Sequence, residues 1–127
     1  MTDIITKYFT PQDAQKALPL VKSIIKDIIN CGLELKELSE NTDREEDEND
    51  KIRTLILDMQ KYIEELEELG CSYKDWSFTV GLVDFPSIID GQEVFLCWRS
   101  DEEKVLYYHS PQEGYAGRKP IPDIYFY

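Results

Sequence analysis

Gly81-Leu82-Val83-Asp84-Phe85-Pro86-Ser87-Ile88-Ile89-Asp90-Gly91-Gln92-Glu93-Val94-Phe95-Leu96-Cys97-Trp98-Arg99 decides how this chain folds. Two runs rich in Val, Leu, Ile, Phe and Trp flank Asp90-Gly91, a dipeptide that tolerates the positive φ angles of a two-residue hairpin turn. The pattern predicts strands near 77–86 and 93–99. A third follows near 104–109, after a second turn at Asp101-Glu102 or Glu102-Glu103. Three strands in sequence make an antiparallel meander.

Upstream, the period of the apolar residues changes from two to between three and four. Thr10-Pro11-Gln12-Asp13 is a helix start: Thr10 can accept from the Asp13 amide, Pro11 suits the first turn, and Asp13 complements the positive end of the helix. Ala14, Leu18, Val21, Ile25, Ile28 and Leu35 then recur along one face, widened by Ala17, Leu20, Ile24, Ile29 and Leu38. So wide a stripe needs two covering elements, or one element and a second subunit. Pro19 removes a backbone donor inside this helix and should kink it. Residues 39–50 hold no apolar residue and read as a mobile acidic connector, placed at 40–50. Ile52, Leu55, Ile56, Met59, Ile63, Leu66 and Leu69 mark a second helix that ends at Gly70. At about 1.5 Å per residue, the first helix runs about 40 Å and the second about 30 Å. The fold class is therefore α+β: a long antiparallel helical hairpin over 11–70, then a small three-stranded β-meander and tail over 76–127, in one domain. The last residues, Ile124-Tyr125-Phe126-Tyr127, are apolar enough that the tail should dock.

The chain has 127 residues and a formal net charge of −12. Residues 40–50 carry seven acids against one base, half of the excess. Without a Lys/Arg stripe such a surface repels phosphate backbones, so nucleic-acid binding is disfavoured. Cys31, Cys71 and Cys97 are odd in number and unpaired in spacing, which argues against a disulfide framework or a zinc ribbon and for a reducing cytoplasm. The start lacks a basic leader, and the first helix is interrupted by Lys22, Lys26, Asp27 and Asn30; neither secretion nor membrane spanning is expected.

Several residues in the second half carry chemistry that a structural sheet does not need. The candidate ligand-binding residues are Asp84, Trp98, Arg99, His109, Glu113, Tyr115 and Arg118. A tight second turn places Val83, Phe85, Leu96, Trp98, Val105, Tyr107 and His109 on the apolar face that should meet the helices. Leu82, Asp84, Phe95, Cys97, Arg99, Leu106 and Tyr108 fall on the other face, unless Pro86 introduces a bulge that flips the first strand. On that register Cys97 and His109 are too far apart for a nucleophile–base pair, and Cys97 reads as a small core residue. Asp84 and Arg99 share a face and suggest an ion pair. His109, the only histidine, has no metal-ligand spacing around it, and no metal or cofactor site is read from the sequence. Glu113, four residues on, could join it as a metal ligand or as an acid–base pair, but the expected arrangement is a His–carboxylate hydrogen bond that anchors the tail. Gly114-Tyr115-Ala116-Gly117-Arg118-Lys119 offers glycine-permitted turns beside the only adjacent basic pair of this block. It could seat a carboxylate or phosphate, or Arg118 could pair with Glu113 or Asp84.

Tyr8-Phe9-Thr10, Leu18-Pro19-Leu20-Val21, Gly81-Leu82-Val83-Asp84-Phe85-Pro86, Leu96-Cys97-Trp98, His109 and Gly114-Tyr115-Ala116-Gly117-Arg118 together resemble an uncharacterised prokaryotic family, domain of unknown function 2203. The resemblance spans roughly residues 8–121. It implies a helical hairpin followed by this Asp-Phe-Pro, Cys-Trp, His and Gly-Arg block, and it implies no activity. Tyr108-His109 stands here where a Trp-His pair is commoner in the family, and Ser110-Pro111 interrupts the run to Glu113. Two function classes follow. The first is a non-enzymatic interaction domain that homodimerises through its hairpin and presents the sheet and tail to a protein or small-ligand partner. The second is a small enzyme or anion-binding protein using Asp84, Arg99, His109, Glu113 and Arg118.

Overall fold

The computed structural model describes residues 7–126. Helix α1 spans Pro11–Glu40 and α2 spans Glu46–Glu68. Five antiparallel strands follow in the order β1-β2-β3-β4-β5: Ser72–Tyr73, Leu82–Ile89, Gln92–Arg99, Tyr107–His109 and Lys119–Pro120. The class is α+β and the meander is present, but the sheet has five strands where three were expected. The two additions are two-residue strands at the edges, too short to leave a pattern in the sequence.

The ends of the helices form as their residues dictate. Thr10 Oγ1 accepts from the Asp13 amide at 3.0 Å and Asp13 accepts from the Thr10 amide at 3.3 Å, a complete capping box. The helix continues through Pro19. At the other end of the hairpin, Gly70 takes φ +98°, its amide donates to Glu67 and that of Cys71 donates to Leu66. These two bonds satisfy carbonyls that the last turn of α2 would otherwise leave open. The connector is shorter than the acidic run: α2 starts at Glu46, and Glu46, Asp47 and Glu48 occupy its first turn. Acidic side chains are favourable there because the unpaired amides of a helix start are positive.

Helix α1 is the spine of the core. Ala14, Leu18, Val21, Ile25 and Ile28 form one buried cluster with Val83, Phe85, Leu96 and Trp98 of the sheet and Leu66 of α2. The wide stripe is thus covered largely by two elements of its own chain. Val105, also fully buried, reaches this core from the β3–β4 connection, and its amide donates to Gln15 Oε1. Phe9 closes one end: its ring meets Phe85 edge-on at 5.3 Å, its amide donates to Pro86, and its carbonyl accepts from Ser87 Oγ at 2.5 Å. The tail docks through Ile121 and Tyr125, the latter bonded to Asp90 at the hairpin tip, while Ile124 is exposed. Tyr127 lies outside the described residues.

Candidate functional site

The β2–β3 register runs unbroken from Leu82↔Arg99 to Ile89↔Gln92, so Pro86 causes no bulge. Asp90 and Gly91 take φ 52° and 75°, the expected turn. Alternation then sends Val83, Phe85, Leu96 and Trp98 inward and Leu82, Asp84, Cys97 and Arg99 outward. Asp84 and Cys97 sit directly opposite each other.

Strand β4, three residues long, departs from expectation. Phe95 pairs with His109 and Cys97 with Tyr107, so His109 and Tyr107 lie on the outer face with Cys97, and Tyr108 lies inward. The reason is the β3–β4 connection, which is longer than a tight turn. Ser100 donates its amide to Gly81, Glu102 donates its amide to Arg99 and accepts from Trp98 Nε1, and Val105 plugs the core before β4 begins. One residue of register moves a side chain to the opposite face. The separation of Cys97 from His109 is therefore overturned.

Asp84, Cys97 and His109 come from three adjacent strands, all are buried, and one ligand-type atom from each lies within 4.8 Å of the others. His109 Nε2 is 3.0 Å from Asp84 Oδ1, and His109 Nδ1 is 2.8 Å from the Ser110 carbonyl. A carbonyl only accepts, so Nδ1 donates to Ser110 and Nε2 is the ring nitrogen that faces the Asp84 carboxylate. Burial pushes the Cys97 thiol up to about 12, the Asp84 charge adds to this, and Arg118 opposes it. The thiol stays protonated at neutral pH.

Above this floor is a cleft of about 340 Å³, walled by Leu82, Phe95, Pro111 and Tyr115 with Lys74 at its edge. Its far wall is the segment after β4, folded back over the sheet. Lys74, Leu82, Phe95 and Pro111 also line the cleft and were not among the expected site residues: nothing local in the sequence sets Leu82, Phe95 and Pro111 apart, and Lys74 is one of many dispersed charges. Leu82 and Phe95 share one signal, the outward alternation along β2 and β3, which becomes readable only once the register is known.

The other expected residues are placed elsewhere. Trp98 is in the core. Arg99 does not meet Asp84; it pairs with Asp101 at 3.2 Å and donates to the Tyr115 hydroxyl at 2.8 Å. Glu113 does not meet His109 but accepts from Ser110 Oγ at 3.0 Å. Arg118 pairs with neither Glu113 nor Asp84: it grips Glu102 with two bonds of 2.8 and 3.0 Å and lies over the rings of Tyr107 and Tyr115. That two-pronged grip holds the β3–β4 connection against the tail. In the glycine loop, Gly117 and Arg118 donate their amides to Gly114 and Tyr115. They close a tight turn instead of presenting a nest to an anion.

No helix among the described residues is long and apolar enough to cross a membrane. No curated protein and no solved structure matches the chain significantly. The family model described as "Uncharacterized conserved protein (DUF2203)" matches residues 7–121, which include the whole hairpin, all five strands and every residue of the cleft, and the chain belongs to that family.

Proposed function

We propose that this chain is a small binding domain, not an enzyme, and that the outer cleft over Asp84, Cys97 and His109 is where it takes a small molecule. The observation that carries the reading is that the cleft has apolar walls and a polar floor whose reactive groups are already engaged. Both ring nitrogens of His109 have partners, so neither is free to take a proton from a substrate. Cys97 holds its proton and is a poor nucleophile. The enzyme or anion-binding alternative has less support. Of its five residues, Asp84 and His109 pair with each other, and Arg99, Arg118 and Glu113 pair with Asp101, Glu102 and Ser110. A cleft of this volume lies at the small end of the range for ligand pockets. Amide chemical shifts recorded against small water-soluble aromatic acids, amines and amides test the reading. Shifts gathered at Leu82, Phe95, Cys97, His109 and Gly114 are expected; shifts only on the helices, or none, would overturn it.

Self-association through the hairpin is a second reading, supported by exposed Leu20, Leu33, Ile56 and Leu57 on its helices. A homodimer would cover some of these, and light scattering that returns 14.9 kDa removes it. All three cysteines are free and buried, which supports a reducing compartment such as the cytoplasm.

A further inference from the structure

We propose that the cleft floor is a binding site for a divalent transition metal of the zinc class, held by Asp84 Oδ1, Cys97 Sγ and His109 Nε2, with the fourth position open to the cleft. The proposal rests on the cleft being the binding surface and names what binds at its base. A carboxylate, a thiolate and an imidazole are ligands of borderline softness, a set that suits zinc and not calcium or magnesium, which prefer oxygen alone. Three protein ligands with one position left over is the arrangement of zinc sites that bind water or substrate, and here the open position faces the cleft, where a bound small molecule can fill it without turnover.

Geometry supports it from both shells. Zinc bonds of about 2.0–2.3 Å put tetrahedral ligand atoms about 3.3–3.6 Å apart. The Asp84–His109 pair already stands at 3.0 Å, and the widest spacing of the three, within 4.8 Å, has to close by about 1 Å. The ligands project from β2, β3 and β4, neighbouring strands in continuous register, so side-chain rotation suffices. Outside the ligands, Nδ1 of His109 donates to the Ser110 carbonyl at 2.8 Å. A histidine bound to metal through one nitrogen usually donates the other N–H to a carbonyl or carboxylate, which fixes the tautomer. That contact points Nε2 at Asp84 and Cys97.

Charge balances. A dication with Asp84 carboxylate, Cys97 thiolate and neutral His109 sums to zero, which suits a buried floor. Binding releases the Cys97 thiol proton to solvent, because a metal-bound sulfur is a thiolate. The departing proton is replaced by a bond to the metal, and no oxidant or reductant is involved. The net charge of −12 adds a field that concentrates cations near the chain.

The test uses the full, tag-free chain stripped with a chelator and dialysed against zinc chloride. The expected result is one zinc per chain, weakened roughly 100-fold or more in Cys97→Ser and in His109→Ala, since even outer-shell changes cost 10–100-fold. Because His109 is the only histidine, its ring nitrogen resonances are unambiguous. Zinc should move Nε2 while Nδ1 keeps its proton, a readout in the native chain that stands even where a variant misfolds. Cobalt chloride should add a thiolate-to-metal charge-transfer band. An absence of stoichiometric zinc, or zinc bound with the His109 resonances unmoved, would overturn the site. A chain that binds no zinc while small molecules still shift the cleft amides loses the metal alone. One that binds zinc and no small molecule upholds the metal and overturns the organic ligand.

Discussion

Gly81, immediately before β2, sits against Ile25 of α1, and adding one methyl there measures how tightly the sheet is seated. A Cβ built on Gly81 overlaps Ile25 Cγ2 and lies 3.2 Å from Ser100 Cβ. Carbon atoms settle at about 3.5–4.0 Å, so relief requires a relative shift of about 1 Å or more between β2 and α1. Ile25 is fully buried and cannot swing out to solvent. Overpacking of this kind costs about 1–3 kcal/mol, against a gain of about 0.4–1 kcal/mol from the less flexible unfolded chain. Gly81→Ala should therefore destabilise by about 1–2 kcal/mol, read as a lower urea midpoint at unchanged slope. A double-mutant cycle locates the cause. Ile25→Ala costs about 2–5 kcal/mol alone, and in that background the Gly81 methyl enters vacated space and should cost almost nothing. Additivity within about 0.5 kcal/mol would refute the contact, as would a neutral Gly81→Ala.

Three other outcomes follow from contacts already described. Glu102→Gln replaces the two-pronged charged grip on Arg118 with a neutral one, and at a partly exposed site should cost about 1–2 kcal/mol in urea unfolding; an unchanged midpoint would show that the pair is dispensable. Thr10→Ala removes the acceptor of the capping box and should cost about 1 kcal/mol, with the loss mostly restored by Ser. In metal-free protein the Cys71 and Cys97 thiols are both pushed up to about 12, chiefly by burial. From about pH 9 to pH 12 the unfolded chain gives up thiol protons that the folded chain keeps. The unfolded state then binds fewer protons, and stability falls as pH rises, by up to about 1.4 kcal/mol per pH unit for each thiol. Urea midpoints that stay level from pH 8.5 to 11 would refute the burial of both thiols.

The helices were legible because their signals are local. The Thr10 capping box, the stripe from Ala14 to Ile28 and the glycine stop at Gly70 each operate within a turn or two. The Asp90-Gly91 hairpin was legible for the same reason, and it put Asp84 on the face of Cys97 provided that Pro86 caused no bulge, which the unbroken register bears out. The placement of His109 was not legible, since it depends on how many residues lie between β3 and β4. That number is set by Glu102 meeting Arg118 on the outer face and by Val105 reaching the core, both contacts between distant parts of the chain. Val105 carries a strand pattern although it precedes β4, because a buried valine in a loop and one in a strand look alike in sequence. A shift of one residue in β4 has a functional consequence: it carries His109 to the face away from Asp84 and Cys97. The start of α2 was hidden differently. Glu46, Asp47 and Glu48 have no apolar period, and only their charge favours a helix start.

The strap formed by Phe9 has a bearing on the order of assembly. The helical hairpin and the β2–β3 hairpin each join residues close along the chain and can form independently. Phe9, by contrast, bonds to Ser87 across 78 residues. Closing a loop of that length costs about 4 kcal/mol in chain entropy, plus a constant, by the logarithmic law. Such closure is favourable only once the two halves already hold each other, so the strap belongs late in folding and contributes little to the speed of reaching the transition state. Its loosening is correspondingly an early event in unfolding, and it would expose Phe85 and the end of the core before either hairpin opens.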